Sequence, residues 1–221
     1  MQINYLGHSS FRIKTKTATL VTDPYSAEVG FKIPKVTADI VTISHPHFDH
    51  NCAAAVSSPQ PGGKPFVING PGEYEIKEVS ILGVPVFHDT QKGEKSGKNT
   101  IFVITAEDMV LCHLGDLGHQ LTAKQTELIS EIDVLFVPVG GGKSLDARGA
   151  AEVVGQLEPK IVVPMHYKTP QHGPKFAHFS FVEAFLKEMG TAKKQVEKLI
   201  LSKSDLGEEE MAVVILERKS A

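Results

Sequence analysis

The chain has 221 residues, of which 41% are hydrophobic and 22% charged, and its formal net charge is −3 with neutral histidines. This composition is typical of a globular protein, and the length predicts a single domain over residues 1–221. Without a basic excess, binding to nucleic acid through phosphate neutralisation is not expected. The two cysteines cannot form a disulfide framework, and no apolar run reaches the roughly 18–20 residues of a membrane span. A cytoplasmic location with no membrane partner is therefore expected.

Short runs of Val, Ile, Thr and Phe, separated by turn-forming residues, dominate the first half of the chain and predict β-strands. These strands are predicted over residues 3–6, 11–14, 17–22, 40–44, 66–69, 75–87, 100–105 and 109–114. The charged, glycine-containing stretch 91–99 is interpreted as an exposed loop.

Helical patterns begin in the second half. Thr122 and Gln125 fit a capping box at the start of a helix over 123–131. Ser144 and Asp146 are alternative N-caps for a helix over 147–157, and residues 179–189 have apolar side chains at helical spacing. Further strands are predicted at 133–138, 160–165, 198–202 and 211–217, and a loop at 170–178. Many strands followed by strand–helix–strand units favour a mixed α+β fold, with helices covering the outer faces of the sheets.

Residues 44–51 concentrate metal-competent side chains directly after a predicted strand: His45, His47, Asp49 and His50. Alternate residues of an extended chain face the same way, so His45 and His47 can bind one ion together. Asp49 and His50 lie where the chain is predicted to turn into a short helix over 51–56, and point past that ion towards a second one. Imidazole and carboxylate are suitable ligands for zinc or manganese. A solvated loop has little reason to place three histidines at the end of a strand.

Three later side chains follow apolar runs and are candidates to complete this site: His88, Asp116 and His166. Polar groups at the ends of several strands can converge on one rim. His113, three residues before Asp116, competes with His88 for the position of third ligand to the first ion.

The segment H-P-H-F-D-H at 45–50 resembles the H-x-H-x-D-H signature of the metallo-β-lactamase-fold hydrolases. The resemblance continues through G-H-S-S at 7–10, T-D-P at 22–24, N-T-I-F at 99–102, H-L-G-D at 113–116 and P-M-H-Y at 164–167. These motifs together are similar to the branch that contains L-ascorbate-phosphate lactonase and N-acyl-phosphatidylethanolamine phospholipase D. The resemblance implies a four-layer αβ/βα sandwich with a dinuclear metal site at the rim between two sheets.

The resemblance also implies roles for individual residues. Its ligands are His45, His47 and His88 for the first ion, Asp49, His50 and His166 for the second, and Asp116 as the bridge. The family spacing favours His88 over His113. Asp23 matches the acidic residue that supports the ligands in this family. A carboxylate at this place can orient a ligating histidine through a hydrogen bond. His8 matches the histidine of the N-terminal G-H motif, and its role is open between the site and the structure.

Two divalent ions, with zinc as the first choice and manganese, iron or nickel as alternatives, would share a hydroxide that attacks the substrate. Asp49 would assist with its proton, and His119, His8 and Lys168 are the candidates for protonating the leaving group. Lys143 and Lys168 follow strands that point towards the same rim, so they are candidate contacts to an anionic substrate. The predicted function is hydrolysis of a small, anionic, ester-like molecule such as a lactone or phosphodiester.

Three other readings of the sequence are less favoured. Residues 140–144 read G-G-G-K-S, but the first glycine of the nucleotide-binding G-x-x-x-x-G-K-[ST] motif would fall at Val137. Flavodiiron proteins resemble this fold, yet they carry Glu where His47 stands and usually an attached flavodoxin domain, which disfavours an iron redox enzyme. A module that keeps metal without turnover is the third alternative, and the complete ligand set argues against it.

Overall fold

The computed structural model describes residues 1–206 and 211–219. Its strands are β1 (Gln2–Gly7), β2 (Ser10–Lys14), β3 (Thr19–Thr22), β4 (Val36–Thr37), β5 (Ile40–Thr42), β6 (Val56–Ser57), β7 (Phe66–Ile68), β8 (Gly72–Ile76), β9 (Val79–Phe87), β10 (Lys98–Ala106), β11 (Met109–His113), β12 (Val134–Pro138), β13 (Ile161–Met165), β14 (Gln195–Val196), β15 (Leu199–Ile200), β16 (Ala212–Val213) and β17 (Ile215–Leu216). Its α-helices are α1 (Ala123–Leu128), α2 (Ala147–Leu157) and α3 (Val182–Glu188). Within these described segments, no helix combines the length and apolarity needed to cross a membrane.

Two large sheets form the centre of the molecule. The first has six strands in the order β15-β1-β2-β3-β5-β7, and the second has seven in the order β16-β13-β12-β11-β10-β9-β8. Strands β3, β5 and β7 are parallel to one another, as are β11, β12, β13 and β16, whereas β8 to β11 form an antiparallel meander. Two short pairs, β4 with β6 and β14 with β17, complete the sheets.

The main core lies between the two sheets, because alternate residues of each strand face the opposite sheet. Phe11 of the first sheet meets Phe136 of the second with ring centroids 4.3 Å apart. The residues on either side of Phe136 along β12, Leu135 and Val137, face outward and pack under the helices. The expectation of mixed sheets with helices outside is confirmed.

The fourth layer is thinner than the αβ/βα pattern suggests. All three described α-helices follow β11 in the chain, and α2 and α3 cover the second sheet. The outer face of the first sheet, including Val21 and Val41, is covered by Ala38 and Val56 from segment 27–57. This segment contains two 3-10 turns, Ala27–Val29 and Ala53–Ala55, the second of which lies within the short helix predicted at 51–56.

The helix starts follow the local capping signals. Thr122 and Gln125 form the expected capping box of α1. Asp146 caps α2 through a hydrogen bond from the Gly149 amide (2.8 Å), so it takes the N-cap position rather than Ser144. Helix α3 begins at Val182 and not at 179, because the Ser180 amide pairs with the Gly140 carbonyl and holds this stretch extended.

The predicted strand over 75–87 is a hairpin of β8 and β9. Lys77 and Glu78 form its two-residue turn and have φ values of 52° and 61°. A two-residue turn with both φ values positive matches the twist of paired strands. The prediction was wrong at this point because neither residue is a glycine or an asparagine, the usual signals for such a turn.

Candidate metal centre

The candidate ligands lie at one rim, where the ends of strands from both sheets meet. Residues 45–50 follow β5 of the first sheet, whereas His88, Asp116 and His166 follow β9, β11 and β13 of the second. The sheets are joined at this rim by a hydrogen bond from the Thr100 amide to the Ser44 carbonyl (2.9 Å). The candidate site therefore spans the two halves of the sandwich.

A glycine allows the chain to reach this rim after β11. Gly115 has a φ of 56°, and a Cβ on it would lie 2.6 Å from Ser44 Cβ. Asn99 fixes the next residue, since its Oδ1 accepts a hydrogen bond from the Asp116 amide (3.1 Å) while its Nδ2 donates to the Leu114 carbonyl (2.8 Å). The Asp116 side chain is thus held at the centre of the rim.

The ligand atoms fall into two groups around Asp116. His45, His47 and His88 form one, and His8, Asp49, His50 and His166 form the other; in each, one ligand atom per residue lies within 4.8 Å of all the rest. Asp116 Oδ2 lies 3.2 Å from Nε2 of His88 in the first group and 3.2 Å from Nε2 of His166 in the second. One carboxylate therefore reaches both groups, as a bridging ligand would.

Several buried atoms of this cluster have no hydrogen-bond partner within the described residues. They are Nε2 of His45, His50 and His166, Nδ1 of His88, and Oδ1 of Asp116. A buried polar group without a partner costs about 1–3 kcal/mol, so five at one place are expensive to leave unsatisfied. Imidazole nitrogens and carboxylate oxygens are the donors that zinc and similar divalent ions take. The residues present therefore fit a metal site.

Asp23 orients two of these imidazoles. Its Oδ2 accepts hydrogen bonds from His50 Nδ1 (2.8 Å) and from the Ser44 hydroxyl (2.6 Å), and its Oδ1 accepts from the Ser44 amide (2.7 Å). The Ser44 oxygen in turn lies 2.9 Å from His45 Nδ1 and accepts from it. Both rings thus carry a proton on Nδ1 and direct Nε2 at the rim, which is the arrangement that second-layer carboxylates impose on ligating histidines.

Ser144 of the G-G-G-K-S loop orients the ring of His166 in the same way. The Ser144 hydroxyl donates to the Gly141 carbonyl (3.2 Å), so its oxygen accepts from His166 Nδ1, 3.2 Å away. This leaves His166 Nε2 without a proton and directed at Asp116. The loop that resembles a phosphate-binding motif therefore supports a ligand candidate.

Burial and neighbouring charges set the protonation states of the cluster. Burial lowers the pKa of His45 to about 3 and holds the pKa of His166 well below its ordinary value, so both are neutral, as ligands must be. Burial alone would raise the pKa values of Asp49 and Asp116, but the adjacent histidines hold both well below the ordinary range. Burial would lower the pKa of His50, yet Asp116 and Asp49 raise it, so a metal ion would displace a proton there.

An open cleft of about 430 Å³ leads to the rim. Its wall contains the ligand candidates, an aromatic surface and three basic side chains: Pro46, His47, Phe48, Asp49, His88, Asp116, Lys143, His166, Lys175, Phe176, His178 and Phe179. The combination offers an apolar surface next to positive charge, directly beside the metal-competent groups.

His113 is placed away from this cluster. Its Nε2 donates to the Ser9 carbonyl (2.8 Å) and its Nδ1 accepts from the Gly115 amide (3.2 Å), so both ring nitrogens are already used. The ring packs between the sheets near Phe11 and Phe136. The structure therefore brings His88, and not His113, to the other ligand candidates.

His119 is also outside the cleft, contrary to its predicted role as a proton donor. Its Nδ1 donates to the Gln120 carbonyl (2.7 Å), and its Nε2 accepts from the Phe87 amide (3.2 Å). The hydrogen bond from Phe87 ties β9 to the chain after β11. His8 is fully buried beside Asp49 but does not line the cleft.

The structure places Lys168, one of the two predicted lysine contacts, outside the cleft. The Lys168 ammonium donates to the Phe176 carbonyl (2.9 Å) and lines a separate surface cavity, because residue 168 is paired with Phe181 and faces away from the rim. Lys143 and Lys175 line the cleft, and the Lys175 ammonium is ion-paired with Glu28 (2.8 Å). Sequence reasoning missed Lys175 and His178 because the path of the loop over 170–178 depends on tertiary contacts.

Comparison with known proteins agrees with this geometry. Residues 2–166 match the family described as the β-lactamase superfamily domain. The chain is 31% identical over 203 residues to a UPF0173 metal-dependent hydrolase of Pyrobaculum neutrophilum, covering 76% of this chain and 85% of that protein. A related hydrolase of Thermococcus onnurineus is 30% identical over 195 residues with the same coverage. The crystal structure of a protein of Thermotoga maritima, named as a Zn-dependent hydrolase of the metallo-β-lactamase superfamily, has 38% identity, a TM-score of 0.78 and coverage of 97% and 98%.

Proposed function

The chain belongs to the β-lactamase superfamily domain family and is a metal-dependent hydrolase; we propose that it cleaves a small, anionic, ester-like substrate with two divalent ions, zinc being the first choice. This proposal rests on the five buried nitrogen and oxygen atoms that have no hydrogen-bond partner among the described residues. They lie beside a cleft whose wall holds Lys143 and Lys175. The ions would be held in the two groups described above, with Asp116 shared between them.

Divalent ions supply a nucleophile at neutral pH, because they lower the pKa of bound water to around 7, and they polarise the bond that is attacked. The protein contributes a base, since the carboxylate of Asp49 is ionised and lines the cleft. Asp49 Oδ1, the oxygen that His8 does not contact, is the acceptor we assign for the proton of the attacking water. His178 and Lys143 are the donors on the cleft wall for the leaving group, in place of His119 and Lys168.

The cleft wall favours a particular kind of substrate. Lys143 is an exposed cation that attracts an anionic group and holds it beside the ligand candidates, whereas the Lys175 ammonium on the same wall is ion-paired with Glu28 (2.8 Å). Phe48, Phe176 and Phe179 offer an apolar surface for the rest of the molecule and exclude water from one side of the cleft. A small molecule that carries both a negative charge and an ester, lactone or phosphodiester bond fits these features.

The test is a substrate panel assayed with metal-depleted protein that has been reloaded with Zn²⁺, Mn²⁺, Fe²⁺ or Ni²⁺. The panel contains carboxylic esters, lactones and phosphodiesters, each in an anionic form and a neutral one. We expect turnover that disappears with chelator, returns with metal and is faster for the anionic members. Hydrolysis of none of them would contradict the proposed bond class, and equal rates for neutral members would contradict the proposed charge.

Variants separate the chemistry from substrate binding. His45→Ala and Asp116→Ala should lower the rate by several orders of magnitude, because each removes a metal ligand. Lys143→Ala should mainly raise KM, since its charge contributes binding that the ground state and the transition state share. Lys168→Ala is the matched control, because its ammonium lies outside the cleft.

A further inference from the structure

A buried histidine behind the metal centre has no role in the proposed mechanism. His172 lies in the loop after β13, and 8% of it is exposed. Its ring packs against His8, Phe31 and Phe176 at centroid distances of 5.1–5.4 Å. Buried polar groups are nearly always hydrogen-bonded, and the partners of His172 lead to Asp49.

The backbone fixes the direction in which His172 donates. The amide of Thr169 donates to His172 Nδ1 (3.1 Å), and a peptide N–H cannot accept, so Nδ1 carries no proton. The Thr169 hydroxyl, 2.8 Å from the same nitrogen, is compatible with this arrangement. Burial lowers the pKa of His172 to about 3, so the ring is neutral and its single proton lies on Nε2.

The same direction continues through His8. His172 Nε2 lies 3.1 Å from His8 Nδ1, so the N–H of His172 donates to that nitrogen and the proton of His8 must sit on Nε2. His8 Nε2 is 3.1 Å from Asp49 Oδ2 and donates to it.

We propose that Thr169, His172 and His8 form a one-way hydrogen-bond chain that fixes the carboxylate of Asp49, with His8 and His172 as positioning residues. The chain holds Asp49 Oδ2, which also lies 3.7 Å from His50 Nε2, and so fixes the carboxylate beside that ligand candidate. In this arrangement His8 Nε2 carries a proton and is not a metal ligand, although it lies among the ligand atoms of the second group. The consequence for metal binding rests on the proposed two-ion function; the proton positions do not.

Tight backbone packing holds both ends of the hydrogen-bond chain. His8 has a φ of 56°, and its carbonyl accepts hydrogen bonds from the Tyr5 hydroxyl and the His166 amide, both at 2.8 Å. At the other end, a Cβ on Gly30 would lie 2.4 Å from the Gly173 amide nitrogen, so only glycine permits this approach. A loop far from Asp49 in sequence is thereby fixed in place behind it.

The first test reads the proton positions in metal-free wild-type protein labelled with ¹⁵N-histidine. Long-range ¹⁵N–¹H correlation spectra at neutral pH should show the Nε2–H tautomer for His8 and for His172, with signals assigned through His8→Gln and His172→Gln. An Nδ1–H tautomer or a doubly protonated ring at either position would overturn the proposal. Loss of the His8 proton on addition of Zn²⁺ would also overturn it, because His8 would then be a ligand.

The second test measures Zn²⁺ affinity by competition with a chromophoric chelator. His172→Phe keeps an aromatic ring but removes the donor, and should weaken binding of one Zn²⁺ ion, that of the Asp49 group, by about 10–100-fold while the other is unchanged. His172→Gln should restore part of the affinity, because its amide can still donate to His8 and accept from Thr169.

The control for this measurement is His119→Phe, which removes a histidine that is also bonded through both ring nitrogens but lies outside the cleft. It should leave both affinities unchanged. Equal affinities in His172→Phe and in the control would overturn the proposal. A wild type that binds no Zn²⁺ would instead contradict the proposed function, and the tautomers would then decide the hydrogen-bond chain alone.

Discussion

His88 and His113 differ in the direction that their strands give to each ring. His113 pairs across the sheet with Phe102, and directly paired residues of neighbouring strands project to the same face. Phe102 belongs to the core between the sheets, so His113 does too. His88 comes after the last residue of β9, where the chain leaves the sheet and its ring can face the rim.

This difference gives a prediction for a pair of alanine variants. His88→Ala should lower the metal content of the purified protein, because it removes a candidate ligand. His113→Ala should keep the metal but lose stability, since the Ser9 carbonyl and the Gly115 amide lose their partner at about 1–3 kcal/mol each. Elemental analysis and urea unfolding measure the two effects. If His113→Ala loses metal while His88→Ala retains it, the assignment made from the geometry is wrong.

Among single elements, the β8–β9 turn carries visible backbone strain. Lys77 and Glu78 both adopt the left-handed conformation, which costs a non-glycine residue about 1–2 kcal/mol. Lys77 has a further interaction, an ion pair of its ammonium with Asp39 (2.5 Å), whereas the structure shows no side-chain hydrogen bond for Glu78 among the described residues. Glu78 is therefore the position at which the strain can be removed without losing a contact.

Glu78→Gly should raise the free energy of unfolding by up to about 1 kcal/mol, because glycine adopts positive φ without steric cost but loses more entropy on folding. The increase should appear as a higher urea midpoint with an unchanged m-value. Glu75→Gly, at an exposed position inside β8, is the matched control and should lower the midpoint. A Glu78→Gly variant that is destabilised as much as the control would show that the turn is not strained.

How far an element is predictable depends on whether its signal is local. Strands β10 to β13 follow from runs of Val, Ile, Thr and Phe, and the start of α1 follows from the capping box of Thr122. The turn at Lys77 could not be predicted from the sequence, because its two central residues have no preference for turns. The positions of Lys175 and His172 depend on the path of a loop that is held by contacts to Gly30 and Gly140, which are remote in sequence.

At the scale of the whole molecule, the candidate ligands link the two sheets. His45, His47, Asp49 and His50 belong to the first sheet, and the other three to the second. The motif 45–50 was readable because its spacing is local, and the later ligands could be proposed because each ends an apolar run. That all seven could meet at one rim was expected from their places at strand ends, and the division of the seven between two ions came from the family resemblance.

Metal removal should therefore loosen the contact between the sheets. An ion at a free concentration about 1,000 times its Kd adds about 4 kcal/mol to stability, and 1 kcal/mol corresponds to about 2–4 °C in Tm for a chain of this size. We expect chelator to lower Tm by roughly 8–16 °C for each ion removed, and Zn²⁺ to restore it. Asp116→Ala, which lacks the bridging carboxylate, should show a smaller response. Identical melting curves with and without chelator would contradict the expectation that bound metal stabilises the packing of the two sheets.

The division of the ligands between the two sheets also orders events during synthesis. The segment 45–50 leaves the ribosome early, while His166 appears only after β11, β12 and β13 have been made. The second sheet must assemble before Asp116 and His166 can stand beside the first group. A site that includes all seven candidate ligands can therefore be completed only after β13 has been made.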